Sequence, residues 1–180
     1  MPQSSPLAKA SFDAPTAPVR LAVERPEDGP AVDALVERAF GPGRYAKAAE
    51  RLREGNRMIG SLSFCAFGAE NLVGAARQWP VMVGAARGVF FGPIAVEAAW
   101  RKHGVGGQLI ARACAAAGDQ GEAFILLVGD LALFGGHGFE PVPAGRVTMP
   151  GPVNPRRILW RALTAGGVDG VSGLACVPKD

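Results

Sequence analysis

Between Phe91 and Ile110 the chain reads Phe-Gly-Pro-Ile-Ala-Val-Glu-Ala-Ala-Trp-Arg-Lys-His-Gly-Val-Gly-Gly-Gln-Leu-Ile. Three glycines, Gly104, Gly106 and Gly107, stand where an apolar run ending at Val96 gives way to helical periodicity, and Arg101, Lys102 and His103 stand beside them. A helix start leaves backbone N–H groups without partners and carries the positive end of the macrodipole. Glycines there let an anion reach the backbone, so the chemistry on offer is binding of a phosphate or pyrophosphate. An ordinary strand-to-helix turn would use the same letters, and spacing alone leaves both readings open. Two familiar phosphate motifs are excluded. A dinucleotide fingerprint would need glycine where this chain has Leu109, and a P-loop would need Lys where it has Gln108.

The segment resembles the signature of the GNAT (general-control-related N-acetyltransferase) superfamily, Arg/Gln-x-x-Gly-x-Gly/Ala. Arg101-Lys-His-Gly104-Val-Gly106 fits it, and Ile94-Ala95-Val96 supplies the apolar-x-apolar strand end before it. Downstream, Phe124-Ile-Leu-Leu-Val128 and Leu133-Phe-Gly-Gly-His-Gly-Phe139 are similar to the family's next strand and the short helix ending near Gly-Phe. The likeness runs over residues 19 to 149. The tail from Asn154 to Gly173 resembles a subgroup of small bacterial predicted acyltransferases. The resemblance implies a strand splay that admits acetyl-CoA or another acyl-CoA as acyl donor. Ile94 and Val96 would pair with the pantetheine amides, Lys102 to Gly107, Val105 included, would wrap the pyrophosphate, and Phe134 would approach the sulfur. Pro93 suits a bulge at the splay point, because proline cannot donate to a ladder; it equally suits a simple interruption of an edge strand.

The proton-transfer groups are where the chain departs from the family. By resemblance, the tyrosine that usually protonates the leaving thiolate is replaced by Phe134, and the strand Phe124 to Val128 lacks the frequent glutamate. The one tyrosine, Tyr45, is far away in sequence. Substitutes each have a plainer reading. Glu97 reads as a solvent-facing link residue, His137 as a helix-end residue beside Gly138, and Asp130 as a helix cap. Cys65 reads as a small core residue and His103 as a phosphate neighbour. No catalytic residue is assigned. Three functions stay open: acyl transfer from CoA to a small-molecule or peptide amine acceptor, acyl-CoA binding without turnover, and transfer from an acyl carrier protein.

Composition narrows the surroundings. The 180 residues are 48% hydrophobic and 19% charged, within the range of one globular domain. A net charge of +3, spread along the chain, does not argue for nucleic acid. Cys65, Cys114 and Cys176 are far apart and odd in number, so they read as reduced thiols of a cytoplasmic protein. His103 and His137, the only histidines, lack metal-ligand spacing, and no metal is expected. Residues 1–18, with four prolines and no apolar run, read as a flexible arm with no membrane-spanning or signal character. A homodimer is left open.

These residues must be positioned by elements that the patterning places as follows. Strands are expected at Val19–Glu24, Ser61–Ala69, Leu72–Trp79, Val89–Val96, Phe124–Val128 and Arg146–Met149. Helices are expected after Asp28 as cap, at Tyr45–Glu54, at Val105–Ala117 and at Asp130–Gly135. The order predicts an α/β (mixed α+β) fold: one splayed mixed sheet of about six or seven strands flanked by helices. Residues 19–180 would form that single domain, with a C-terminal extension from about 150 that resists assignment.

Overall fold

The structure is a computed structural model, described over residues 18–179. The arm expected over residues 1–18 lies outside the described residues except for Pro18. The strands are β1 Val19–Val23, β2 Phe64–Gly68, β3 Asn71–Val83, β4 Ala86–Val96, β5 Phe124–Val128, β6 Glu140–Pro141, β7 Val147–Thr148, β8 Ile158–Ala162 and β9 Gly173–Cys176. The helices are α1 Gly29–Phe40, α2 Ala48–Arg51, α3 Val105–Asp119 and α4 Leu131–Phe134. The sheet runs β1-β2-β3-β4-β5-β8-β6, with β9 pairing with β3 and β7. Among the described residues, only β4–β5 and β7–β9 are parallel.

The expected class of fold is present, with more strands than expected. The difference lies in the glycine-rich tail, which joins the sheet. β8 pairs along the whole of β5, from Phe124 opposite Ala162 to Val128 opposite Ile158. The run Ile158-Leu-Trp160 is buried, and its backbone is satisfied by β5 on one side and β6 on the other. Periodicity could not reveal it, because strand pairing across this distance is a tertiary choice.

Other boundaries also moved. The second helix expected over Tyr45–Glu54 is a 3₁₀ turn, Pro42–Ala46, followed by the single turn of α2. The strand expected from Ser61 starts at Phe64, after a 3₁₀ turn at Gly60–Leu62. The hairpin strands are longer than expected, because the turn occupies only residues 84 and 85. Asp28 does not cap α1 through its side chain. Its carboxylate turns back to the Arg25 backbone N–H (2.9 Å) and guanidinium (3.1 Å), closing a 3₁₀ turn.

Three apolar layers hold the elements. Val89 and Phe91 of β4 point one way, with Ile125, Leu127 and the inner face of α3. Phe90 points the other way, with Phe124, Leu126 and Trp160. α1 covers Cys65, Ala75 and Ala95 through Val32, Leu35 and Val36. Strand alternation and helical spacing produce these layers directly, and each buried Leu or Phe contributes ~1.5–3 kcal/mol. α3 lies close on β3 at Gly74, where a Cβ would stand 3.0 Å from Leu109. That closeness fixes where α3 begins relative to β4.

Candidate functional site

The site starts from a miscount in the β3–β4 ladder. Gln78 pairs with Phe91 and Ala76 with Ile94, so Arg77 alone faces two residues, Gly92 and Pro93. This is a bulge on β4, one of the two readings open at Pro93, and the Gly92–Pro93 peptide is cis. The indole N–H of Trp79 donates to the Gly92 carbonyl at 2.7 Å. The extra residue switches parity. Before it, odd-numbered Val89 and Phe91 face α3; after it, Ile94 and Val96 do.

Beyond the bulge β4 loses its other neighbour. β4 and β5 pair only at Val89–Ile125 and Phe90–Leu126, while β4 runs on to Val96. The Glu97 N–H donates to Val73 O across β3 at 2.8 Å. Hydrogen-bonded pairs alternate in an antiparallel ladder, so Ala95 also bonds inward to Ala75. The backbone groups of Ile94 and Val96 are then turned to the open side, where β5 has left. Ala95 commits its backbone to β3 and its methyl to the space under α1. A channel of about 440 Å³ passes through this gap, lined by Phe91, Ile94 and Phe134 from one face and by Phe90, Ala48 and Arg53 from the other.

The basic segment follows β4. Arg101 is exposed, and its Nε donates to Val96 O at 3.1 Å. Lys102 takes a left-handed conformation (φ +67°), and Lys102 and His103 are both exposed. Gly104, also left-handed, precedes α3 without a side-chain cap. The N–H groups of Val105, Gly106 and Gly107 therefore have no intrahelical acceptors. A Cβ at Gly106 would meet nothing nearer than Val96 Cγ2 at 3.9 Å, so the front of the helix end is open. His137, at the end of the 3₁₀ turn Gly135–His137, lies against Gly107, its Nε2 3.5 Å from a Cβ built there. It stands at the glycine end of α3, and its carbonyl accepts from Arg161.

Phe134 is 5% exposed. Its ring meets Phe91 and Phe139 edge to face, at 6.1 and 5.6 Å, and lies over Gly129, where a Cβ would stand 2.5 Å from it. It is thus core on one side and channel wall on the other. Asp130 caps α4, accepting from the Ala132 N–H at 3.0 Å. Glu97 is less free than a link residue, since it forms an ion pair with Arg38 of α1. Cys65 is buried, and burial pushes its thiol up to about 12, so it is not a nucleophile.

Sequence reasoning missed the opposite wall. A second cavity, about 640 Å³, lies beside α1 and α2 and shares Arg44, Arg53 and Pro93 with the channel. Tyr45, distant in sequence, borders it with Trp79. Arg77, at the bulge, binds both oxygens of buried Glu24 (3.0 and 2.9 Å) and reaches Asp33 of α1 at 2.6 Å. Glu50 accepts from Arg53 at 2.8 Å and lies 3.5 Å from Arg44. Burial lowers the pKa of Arg53, and Glu50 opposes that shift. No motif marks these pairs.

A mixed sheet that opens at a bulge beside a glycine-rich helix start defines an acyl-CoA N-acyltransferase fold. No family model matches the chain. Its curated relatives include the uncharacterized N-acetyltransferase YhbS of Escherichia coli K12, 29% identical over 162 residues that cover 84% of this chain and 92% of that protein. The crystal structure of the E. coli GNAT family N-acetyltransferase YhbS in complex with CoA superposes with a TM-score of 0.78 at 27% identity, covering 91% of this chain and 92% of that one. A GNAT family acetyltransferase from Brucella melitensis, solved with acetyl-CoA, gives a TM-score of 0.57 at 25% identity over 78% of this chain and 94% of its own. In sequence and in fold the chain is similar to N-acetyltransferases of the GNAT family.

Proposed function

We propose that this protein is an N-acyltransferase that moves an acetyl or other acyl group from acyl-CoA to an amine, by direct attack with both substrates bound. The observation that carries this reading is the pairing of an open, outward-turned β4 edge with an unobstructed glycine loop. Both features suit the same molecule: outward amide groups for a pantetheine arm, and free helix-end N–H groups for a pyrophosphate. The likeness to proteins solved with CoA and acetyl-CoA supports it.

In this reading Ile94 and Val96 align the arm through backbone groups, with Ala95 as the spacer between them. Gly104, Val105, Gly106 and Gly107 hold the phosphates, and Lys102 and His103 add charge at the rim. Arg101 braces the strand end through Val96 O. The thioester supplies an activated acyl carbon: a C–N bond forms, the C–S bond breaks, the amine gives up a proton and the thiolate takes one. Phe134 can pack on the arm but holds no proton. A thiol leaves as thiolate near neutral pH, with an ordinary pKa of ~8.5, so transfer proceeds without a dedicated acid, only more slowly.

A free-thiol release assay with acetyl-CoA and longer acyl-CoAs against an amine panel tests the proposal. Turnover on at least one amine is expected. Tight CoA binding with no turnover on any acceptor would favour the reading in which a Phe134-bearing site only binds acyl-CoA. Turnover with acyl carrier protein alone would move the donor to a carrier thioester.

A further inference from the structure

The channel wall opposite Ile94 and Phe134 carries a cation with one edge unused. Arg53 borders both cavities, and its side chain is only 11% exposed. Its Nε and Nη2 donate to Glu50, at 3.2 and 2.8 Å. Nη1 has no partner among the described residues and is aimed at the bulge, 3.6 Å from where a Cβ on Gly92 would stand. Guanidinium offers five donors in a fixed fork, so Glu50 fixes two edges and leaves the third presented to the cavity.

On the channel side, unlike the second cavity with its Asp33, Glu37, Glu50 and Glu54, the charges favour an anion. The channel is lined by Arg44, Lys47, Arg53 and Arg157 against Asp130 alone, and the Asp130 carboxylate already caps α4. Arg157 donates through Nε to the Gly129 carbonyl, and Lys47 has no ion pair among the described residues. Arg44 and Arg77 both repel Arg53, a repulsion that a bound anion would relieve. Apart from Asn154, the remaining side chains, including Phe90, Phe91, Pro93 and Leu133, are apolar, so the anion would be one end of a small, partly apolar molecule.

We propose that Arg53 receives a carboxylate of the acyl acceptor through Nη1, so that the acceptors are amino acids or amines of similar build with a free carboxylate. This rests on the acyl-transfer reading. It also accounts for the otherwise unexplained Glu50–Arg53 pair. Glu50 holds the guanidinium in a single pose, and the bulge at Gly92 leaves space beside it.

The test is calorimetry on the full-length protein saturated with CoA, titrated with a panel of amino acids and the matching amino-acid amides. At least one acid should bind on the order of tenfold or more tightly than its amide, the usual scale for a charge-assisted hydrogen bond. In Arg53→Met that ratio should fall toward one. Because Arg53→Met leaves Glu50 with only its 3.5 Å contact to Arg44, the double variant Glu50→Gln/Arg53→Met is measured beside it, with thermal unfolding to show that both are folded. No preference for any acid in the wild type, or a preference that survives in both variants, overturns the proposal. A donor arm compares succinyl-CoA with acetyl-CoA on an uncharged amine. An Arg53-dependent preference seen only there puts the carboxylate on the donor and also overturns it. CoA saturation without acceptor and free-thiol release from acetyl-CoA on an amine panel are both measured first, so a failure of the acyl-transfer reading would be seen separately.

Discussion

The two walls of the proposed acyl-transfer site are built from different materials. The wall formed by the end of β4 and the start of α3 is mostly backbone: outward amides at Ile94 and Val96, free N–H groups at Val105 to Gly107, and glycines that keep the approach clear. The wall formed by α1, α2 and the bulge is mostly side chain: Arg77 on Glu24 and Asp33, and Arg53 and Arg44 on Glu50. A backbone wall suits a ligand part that is always the same, such as a pyrophosphate and its arm. A side-chain wall can be changed residue by residue without disturbing the fold, which is what acceptor choice requires.

The contrast predicts unequal costs. Arg77→Met would leave the Glu24 carboxylate buried and unpaired, and should destabilise by ~3–5 kcal/mol. Arg101→Met, an exposed position on the other wall, should stay within ~0.5 kcal/mol. Urea unfolding of the two variants makes the comparison, and equal losses would break the distinction between the walls.

Phe134 sits where the walls meet. Phe134→Tyr should raise turnover while leaving CoA affinity nearly unchanged, recovering part of the ~10²–10⁴-fold that general-acid help can supply. If the added hydroxyl instead finds only Phe91 and Phe139, the variant loses ~1–3 kcal/mol of stability with no gain in rate, and Phe134 counts as core rather than channel.

The smallest effect concerns the layer beneath α1. Burial raises the Cys65 thiol to about 12 and the Cys114 thiol above its usual value, whereas Cys176 is partly exposed. Labelling of the native protein at pH 8 should modify Cys176 alone, and all three thiols after unfolding. The folded pKa of Cys65 exceeds its unfolded one, so the stability it lends is complete below the ordinary thiol pKa, ~8.5, and fades as pH climbs toward 12. The urea midpoint should fall in alkali, and fall less in Cys65→Ala.

What could be read from the sequence follows the same division. α3 was legible because Leu109, Ile110, Ala113, Cys114 and Ala117 repeat at helical spacing after a glycine cluster, and β5 because five apolar residues run together. The start signals of α3 are local, so spacing carries them. The Asp130 cap was legible for the same reason. The Arg77–Glu24 and Arg53–Glu50 pairs were not. Arg77 and Glu24 are 53 residues apart, and Arg53 with Glu50 has the appearance of ordinary charge on a polar helix. β8 and β9 were hidden by the glycines around them. Their strand character comes from the partner each one finds.

Whether the glycine loop holds the phosphates of coenzyme A decides the rest. Calorimetry of acetyl-CoA with the wild type and with Gly106→Glu addresses that directly. The glutamate fills space that is open beside the helix end and brings a repelling charge, while Gly106, on the first turn of α3 with no close neighbour, tolerates a side chain without unfolding. Wild-type binding with a loss of at least tenfold in the variant, about 1.4 kcal/mol, is the predicted result. A folded Gly106→Glu protein that binds acetyl-CoA as the wild type does would contradict it.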